Sequence, residues 1–123
     1  MKSAIDTICA RATASGIGAI SVIRISGPDA ISVISKCFSK SLSDVDSHTV
    51  HFGMFKSVSG VALDEVLVTL FHHGKSFTGE ESIEISCHGS PYVQQQILDA
   101  LVASGCRMAD PGEFTQRAFL NGK

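Results

Sequence analysis

The segment Ser82-Ile83-Glu84-Ile85-Ser86-Cys87-His88-Gly89-Ser90-Pro91 changes period half-way along. Ile83, Ile85 and Cys87 alternate with Ser82, Glu84 and Ser86, the two-residue repeat of a strand with one buried and one polar face. Ser90-Pro91 then opens a helix: Val93, Ile97, Leu98, Leu101 and Val102 form an apolar stripe, and Gly105 stands where a left-handed C-terminal cap belongs. A one-sided strand that feeds an amphipathic helix specifies a sheet with helices packed against it.

The flanking chain extends the same pattern. Asp6 to Thr13 and Ala19 to Ser26 read as an adjacent pair of strands, with Gly16 and Gly18 in the turn between them. Pro28 opens a short amphipathic helix over Asp29 to Phe38, on which Ile31, Ile34, Cys37 and Phe38 recur at helical spacing. His48 to Ser57 and Leu63 to Phe71 are strand-like and joined by a turn at Ser59-Gly60, while residues 39–47 are serine-rich and form a surface connection. Asp110-Pro111-Gly112-Glu113 has the arrangement of a capping box, ahead of a short helix carrying Phe114, Ala118 and Phe119 that stops at Asn121-Gly122. The reading is an α+β domain over 1–123, a mostly mixed sheet with helices on one face.

Composition narrows the function. The 123 residues are 44% hydrophobic and 18% charged, enough apolar material for one core and too little charge for disorder. Ten basic against twelve acidic residues leave a net charge of -2, so the chain by itself lacks the positive field that holds a nucleic-acid backbone. No signal peptide or membrane span is expected, and a cytoplasmic setting follows. Cys9, Cys37, Cys87 and Cys106 are scattered, contain no Cys-x-x-Cys pair, and read as reduced core thiols.

Several apparent motifs fail on physical grounds. Gly74-Lys75-Ser76 lacks the glycine five positions upstream that a phosphate-binding loop needs, since Thr69 stands there. His72-His73 and Cys87-His88 are adjacent residues whose side chains point to opposite faces of extended chain, which does not suit a shared metal. Two residues stand out instead. Arg24 has the parity of Ile20 and Val22 in its strand, so it either reaches solvent, pairs with an internal acid, or meets a ligand anion. Glu84 lies on a polar strand face that either meets water or a ligand. The polar loop from His72 to Glu81, with its lone Phe77, is either a flap over a ligand or a long hairpin connection.

Taken together, Asp6-Thr7-Ile8, Ala12-Thr13, Gly16-Ile17-Gly18-Ala19-Ile20, Ile23-Arg24-Ile25-Ser26-Gly27, Ser76-Phe77-Thr78-Gly79-Glu80, His88-Gly89-Ser90-Pro91 and Pro111 to Lys123 closely resemble, in order and spacing, the N-terminal domain of the MnmE (TrmE) family of tRNA-modification GTPases. The resemblance covers essentially the whole chain. It implies a fold similar to the tetrahydrofolate-binding domains of folate-dependent aminomethyl transferases, and a homodimerisation module. It also implies a 5-formyl or 5,10-methylene tetrahydrofolate bound in this domain, with the folate contacts carried over to Arg24, Glu84 and Lys123. In the family, GTP, potassium and magnesium belong to a separate G domain, and a helical domain begins just after the position of Lys123. The full-length family member is an enzyme that, with the FAD-containing partner MnmG, installs an aminomethyl-type group on the wobble uridine of tRNA. The resemblance therefore assigns no catalytic or metal-binding residue to this chain and no catalysis to it alone; a purely structural dimerisation module is the alternative. Ala14 departs from the family's usual proline, and Lys123, as the last residue, is expected to fray.

Overall fold

The computed structural model describes residues 6–12 and 19–123. In chain order the elements are β1 (Ile8–Arg11), β2 (Ile20–Ser26), α1 (Ala30–Ser35), β3 (Val50–Lys56), β4 (Ala62–Phe71), β5 (Ser82–His88), α2 (Pro91–Ala103), β6 (Arg107–Met108) and α3 (Glu113–Leu120). Six strands form one sheet in the order β3-β4-β5-β2-β1-β6. All neighbours are antiparallel except β1 and β6, which makes the sheet mixed, as the sequence predicts. The expected glycine turn at Gly16 and Gly18, and Ala14 within it, lie outside the described residues.

Register builds two different faces. Cys9, Ile25, Ile83 and Leu70 stand side by side across β1, β2, β5 and β4, all fully buried. Ile23, Ile85 and Val68 form the next row. Onto this face pack Ala30, Val33 and Ile34 of α1 and Ile97, Leu98 and Leu101 of α2, in one continuous core. The opposite face carries the row Ala10, Arg24, Glu84 and Thr69, with Ile8, Ser26, Ser82 and Phe71 beside it. Because the strand period is two, the alternation that buries Ile83 and Ile85 necessarily turns Glu84 to the other side.

Both ends of α2 follow from sequence. The Ser90 hydroxyl accepts the Val93 N–H, and at the other end Cys106 N–H donates to Leu101 O and Gly105 N–H to Val102 O, a Schellman closure around a positive φ of 123° at Gly105. The stripe differs from the expected one: Val102 is exposed, while Gln94 is buried. A buried amide is tolerated here because Gln94 Nε2 donates to Ser21 Oγ (2.8 Å) and its Oε1 accepts from Arg11 Nε (2.7 Å).

Three expectations are corrected. The helix predicted over Asp29 to Phe38 closes after Ser35, where Lys36 and Cys37 donate to Val33 O and Ile34 O in tighter turns; Phe38 instead bridges to Phe55 of β3. The serine-rich connection is not wholly superficial, since Leu42 is fully buried. The last helix has Gly112 and not Asp110 at its N-cap, although the Glu113 carboxylate does accept the Asp110 N–H at 2.9 Å, as the capping box predicts. The Asp110 carbonyl accepts the Glu113 N–H across Pro111-Gly112, with Gly112 at φ 76°, ψ 4°, the signature of a type II turn, and α3 begins only at Glu113.

The third helix also leaves the expected arrangement. While α1 and α2 share one face, α3 meets the other, where Phe114 lies against Arg24. Phe119, predicted to be apolar-facing, is 79% exposed. All four cysteines are free and buried, and burial pushes the Cys87 thiol up to about 11, which keeps it protonated and inert. Among the described residues, no helix is long and apolar enough to cross a membrane.

Candidate functional site

Cross-strand register places Arg24 directly opposite Glu84. Arg24 Nε and Nη2 both donate to Glu84 Oε2, at 3.1 and 2.9 Å. Two aromatic rings flank the guanidinium: Phe77 at 5.3 Å and Phe114 at 5.5 Å from ring centre to the guanidinium carbon. Such stacking holds a flat cation in one plane without using its edge donors. Of the alternatives open for Arg24, pairing with an internal acid describes its state here. Both hydrogen bonds fall on one oxygen of Glu84, Oε2.

That cleft, of about 150 Å³, is lined by Arg24, Phe71, Lys75, Ser76, Phe77, Ser82 and Glu84. Its outer wall is the 72–81 loop, joining β4 to β5. The loop is built, not slack: Gly74 N–H donates to Gly79 O, Ser76 Oγ to Glu80 O, and Thr78 Oγ1 lies 2.6 Å from Ser26 Oγ. Gly74-Lys75-Ser76 sits between two strands and precedes no helix, as its rejection as a phosphate loop requires.

His72 locks the base of the loop. Its Nδ1 lies 3.0 Å from Glu81 Oε2 and its Nε2 lies 2.9 Å from Val45 O. Two acceptors suit an imidazolium, and the Glu81 carboxylate, followed by the Val45 carbonyl, raises the His72 pKa above its ordinary 6.5. A raised folded value means that the stabilisation is fully present below about pH 6.5 and disappears as pH rises through the folded pKa. His72→Gln should therefore cost more stability near pH 6 than near pH 9, checked as the difference in urea midpoints between wild type and variant at the two pH values.

Behind the cleft, α3 is anchored by ion pairs. Arg117, only 4% exposed, donates to Asp6 O (2.7 Å) and to carboxylate oxygens of Asp6, Glu80 and Glu113. Arg107 pairs with Asp6 (2.6 Å) and Glu113 (2.7 Å). Arg107 chiefly, with Arg117, holds the Asp6 and Glu113 carboxyls below the usual carboxylate range. Among the described residues no buried side-chain N or O lacks a hydrogen-bond partner.

Lys123 touches neither Arg24 nor Glu84. Its N–H closes α3 on Ala118 O, with Gly122 N–H on Phe119 O, and its Nζ donates to Gly74 O at 2.8 Å. The residue expected to fray is thus tied to the loop that walls the cleft. Phe114 and the Arg117 network are site components that the sequence did not mark. The spacing of Glu113 and Arg117, four apart on a helix, was the one available signal.

The chain matches, over residues 7–123, the family model described as GTP-binding protein TrmE N-terminus. The chain belongs to the TrmE N-terminal family. Relatives of this family include the tRNA modification GTPase MnmE of Parabacteroides distasonis, 50% identical over 123 residues, and that of Flavobacterium johnsoniae, 56% identical over 122 residues. The same protein of Bdellovibrio bacteriovorus is 56% identical over 119 residues. Each comparison covers 96% of this chain but only 25–27% of the relative. The TrmE N-terminal chain therefore spans about a quarter of the length of the curated relatives it matches.

Proposed function

We propose that this chain is the tetrahydrofolate-binding and dimerising part of a tRNA-modification GTPase, with the folate held in the cleft at Arg24 and Glu84. The observation that carries the reading is the Arg24–Glu84 pair between two aromatic rings at the floor of that cleft. A reduced pterin presents a ring N–H beside an amino group, and a carboxylate fixed in position accepts both in a two-point contact. Arg24 orients Glu84 for that contact. Phe77 supplies an apolar cover, and Lys123 steadies the loop that bears it. GTP hydrolysis, its potassium and magnesium, MnmG and tRNA belong to the longer protein in this reading, in a cytoplasmic setting. This chain contributes cofactor binding, with no reacting group of its own.

The same sheet face supports dimerisation. Phe52 and Leu67 are paired across β3 and β4 and exposed, and with Ile20 and Val50 they leave an apolar strip beside the cleft. A second copy laid on this strip would bring its own surface to the edge of the folate site.

Arg24→Ala should lower affinity for 5-formyltetrahydrofolate at least about tenfold, because a charged hydrogen bond that aligns the binding carboxylate is lost. Isothermal titration beside a circular dichroism spectrum checks this; unchanged affinity in a folded variant argues for the purely structural module. Light scattering on Phe52→Asp, expected to give a monomer, checks the dimer face.

A further inference from the structure

The charges around the cleft are unequally used. Arg24 is neutralised by Glu84. Glu80 is held by Ser26 and Arg117, and Glu81 by His72 and the His73 N–H. Every acid of the 72–81 loop is therefore engaged. Lys75, by contrast, lines the cleft and its ammonium has no partner among the described residues. One residue before it, the Gly74 carbonyl receives Lys123 Nζ, which brings a second ammonium to the same edge. A carbonyl satisfies a donor without cancelling its charge, so the rim keeps two uncompensated cations.

Size points the same way. A cleft of about 150 Å³ is smaller than the roughly 300–1,000 Å³ that encloses a drug-sized ligand. A head group held there leaves whatever is attached to it outside the cleft, and Lys75 is the one lysine in the lining that such an attachment can meet.

We propose that Lys75, with Lys123 beside it, forms a subsite for an anionic tail of several carboxylates, so that the chain distinguishes tetrahydrofolates by the number of glutamates they carry. The inference rests on the reading that the cleft takes the pterin head. Lys75 acts as a specificity-determining residue outside the head-group contacts. Exposed ion pairs are individually weak, but consecutive carboxylates meeting two ammoniums reinforce one another, and the effect is screened by salt.

The test titrates this chain and Lys75→Glu by calorimetry with three probes: tetrahydrobiopterin, 5-formyltetrahydrofolate with one glutamate, and its pentaglutamate. Lys75 sits on an exposed loop, and the tailless pterin reports directly whether the head-group site is intact. The expected result is a pentaglutamate bound about tenfold more tightly than the monoglutamate at low salt, an advantage that shrinks in strong salt and vanishes in Lys75→Glu while tetrahydrobiopterin affinity changes less than about twofold. Equal affinity for the two folates, or an advantage that survives in Lys75→Glu, overturns the subsite alone. Failure of every probe to bind the folded wild-type chain overturns the pterin reading and this inference together.

Discussion

Arg117→Met should destabilise the chain by about 3–5 kcal/mol, the cost of removing one partner from a buried ionic cluster. Arg117 is 4% exposed and is shared among Asp6, Glu80 and Glu113. Arg107 still covers Asp6 and Glu113 when Arg117 is gone, but Glu80, with 15% of its side chain exposed, is left with a hydroxyl for its charge. The melting temperature should fall by about 15 °C or more, since each kcal/mol is worth about 4–8 °C in a domain near this size. Arg117→Lys keeps the charge but not the fork of donors and should recover only part of the loss. The acid limb has a definite sign. Asp6 and Glu113 have depressed folded pKa values, so the stability they contribute is present above about pH 4 and is lost as pH falls through those values. Calorimetric scans of wild type between pH 7 and about pH 3 should show that decline.

Gly27→Ala should be comparably damaging for a different reason. Gly27 has φ +143°, and a Cβ placed there lies 2.5 Å from Thr7 Cα and 2.9 Å from Asp6 O. Both obstacles are backbone at the entry to β1, so no rotamer change relieves them. The displaced segment also carries Thr7 Oγ1, which accepts the Asp29 N–H ahead of α1, and Asp6, which anchors Arg107 and Arg117. Strain at a positive φ and the collision together should cost about 3 kcal/mol or more, read from the urea midpoint at constant slope.

The core face was legible in β5, where apolar and polar residues alternate. It was not legible in β2 and β4, which carry apolar residues on both faces, Ile20 and Leu67 being exposed. Ile83 and Ile85 declared their face from sequence, and the Ser90 and Gly105 caps fixed both ends of α2. What sequence alone did not reveal depends on long-range pairing. That Glu84 is the acid opposite Arg24 requires the β2–β5 register, a separation of 60 residues. Arg117 and Asp6 are 111 residues apart, and their pairing is what draws α3 to the face opposite the other helices, against the one-sided arrangement that amphipathic patterns suggested. Phe119 and Val102 have helical spacing yet face outward, because periodicity identifies a stripe without identifying what covers it. The resemblance selected Arg24, Glu84 and Lys123, but their different standing follows from geometry. Two meet in the cleft, and the third holds its wall.

In the proposed function, Glu84 is the carboxylate that receives the pterin. The most direct test is calorimetric titration of wild type and Glu84→Gln with 5-formyltetrahydrofolate. A glutamine of the same shape keeps one acceptor but replaces the other with donors that oppose the pterin N–H groups. Saturable binding by wild type is expected, with a loss of about a hundredfold, near 3 kcal/mol, in a variant that still folds. Equal affinity in the two proteins, or no binding by a folded wild-type chain, would contradict that role for Glu84.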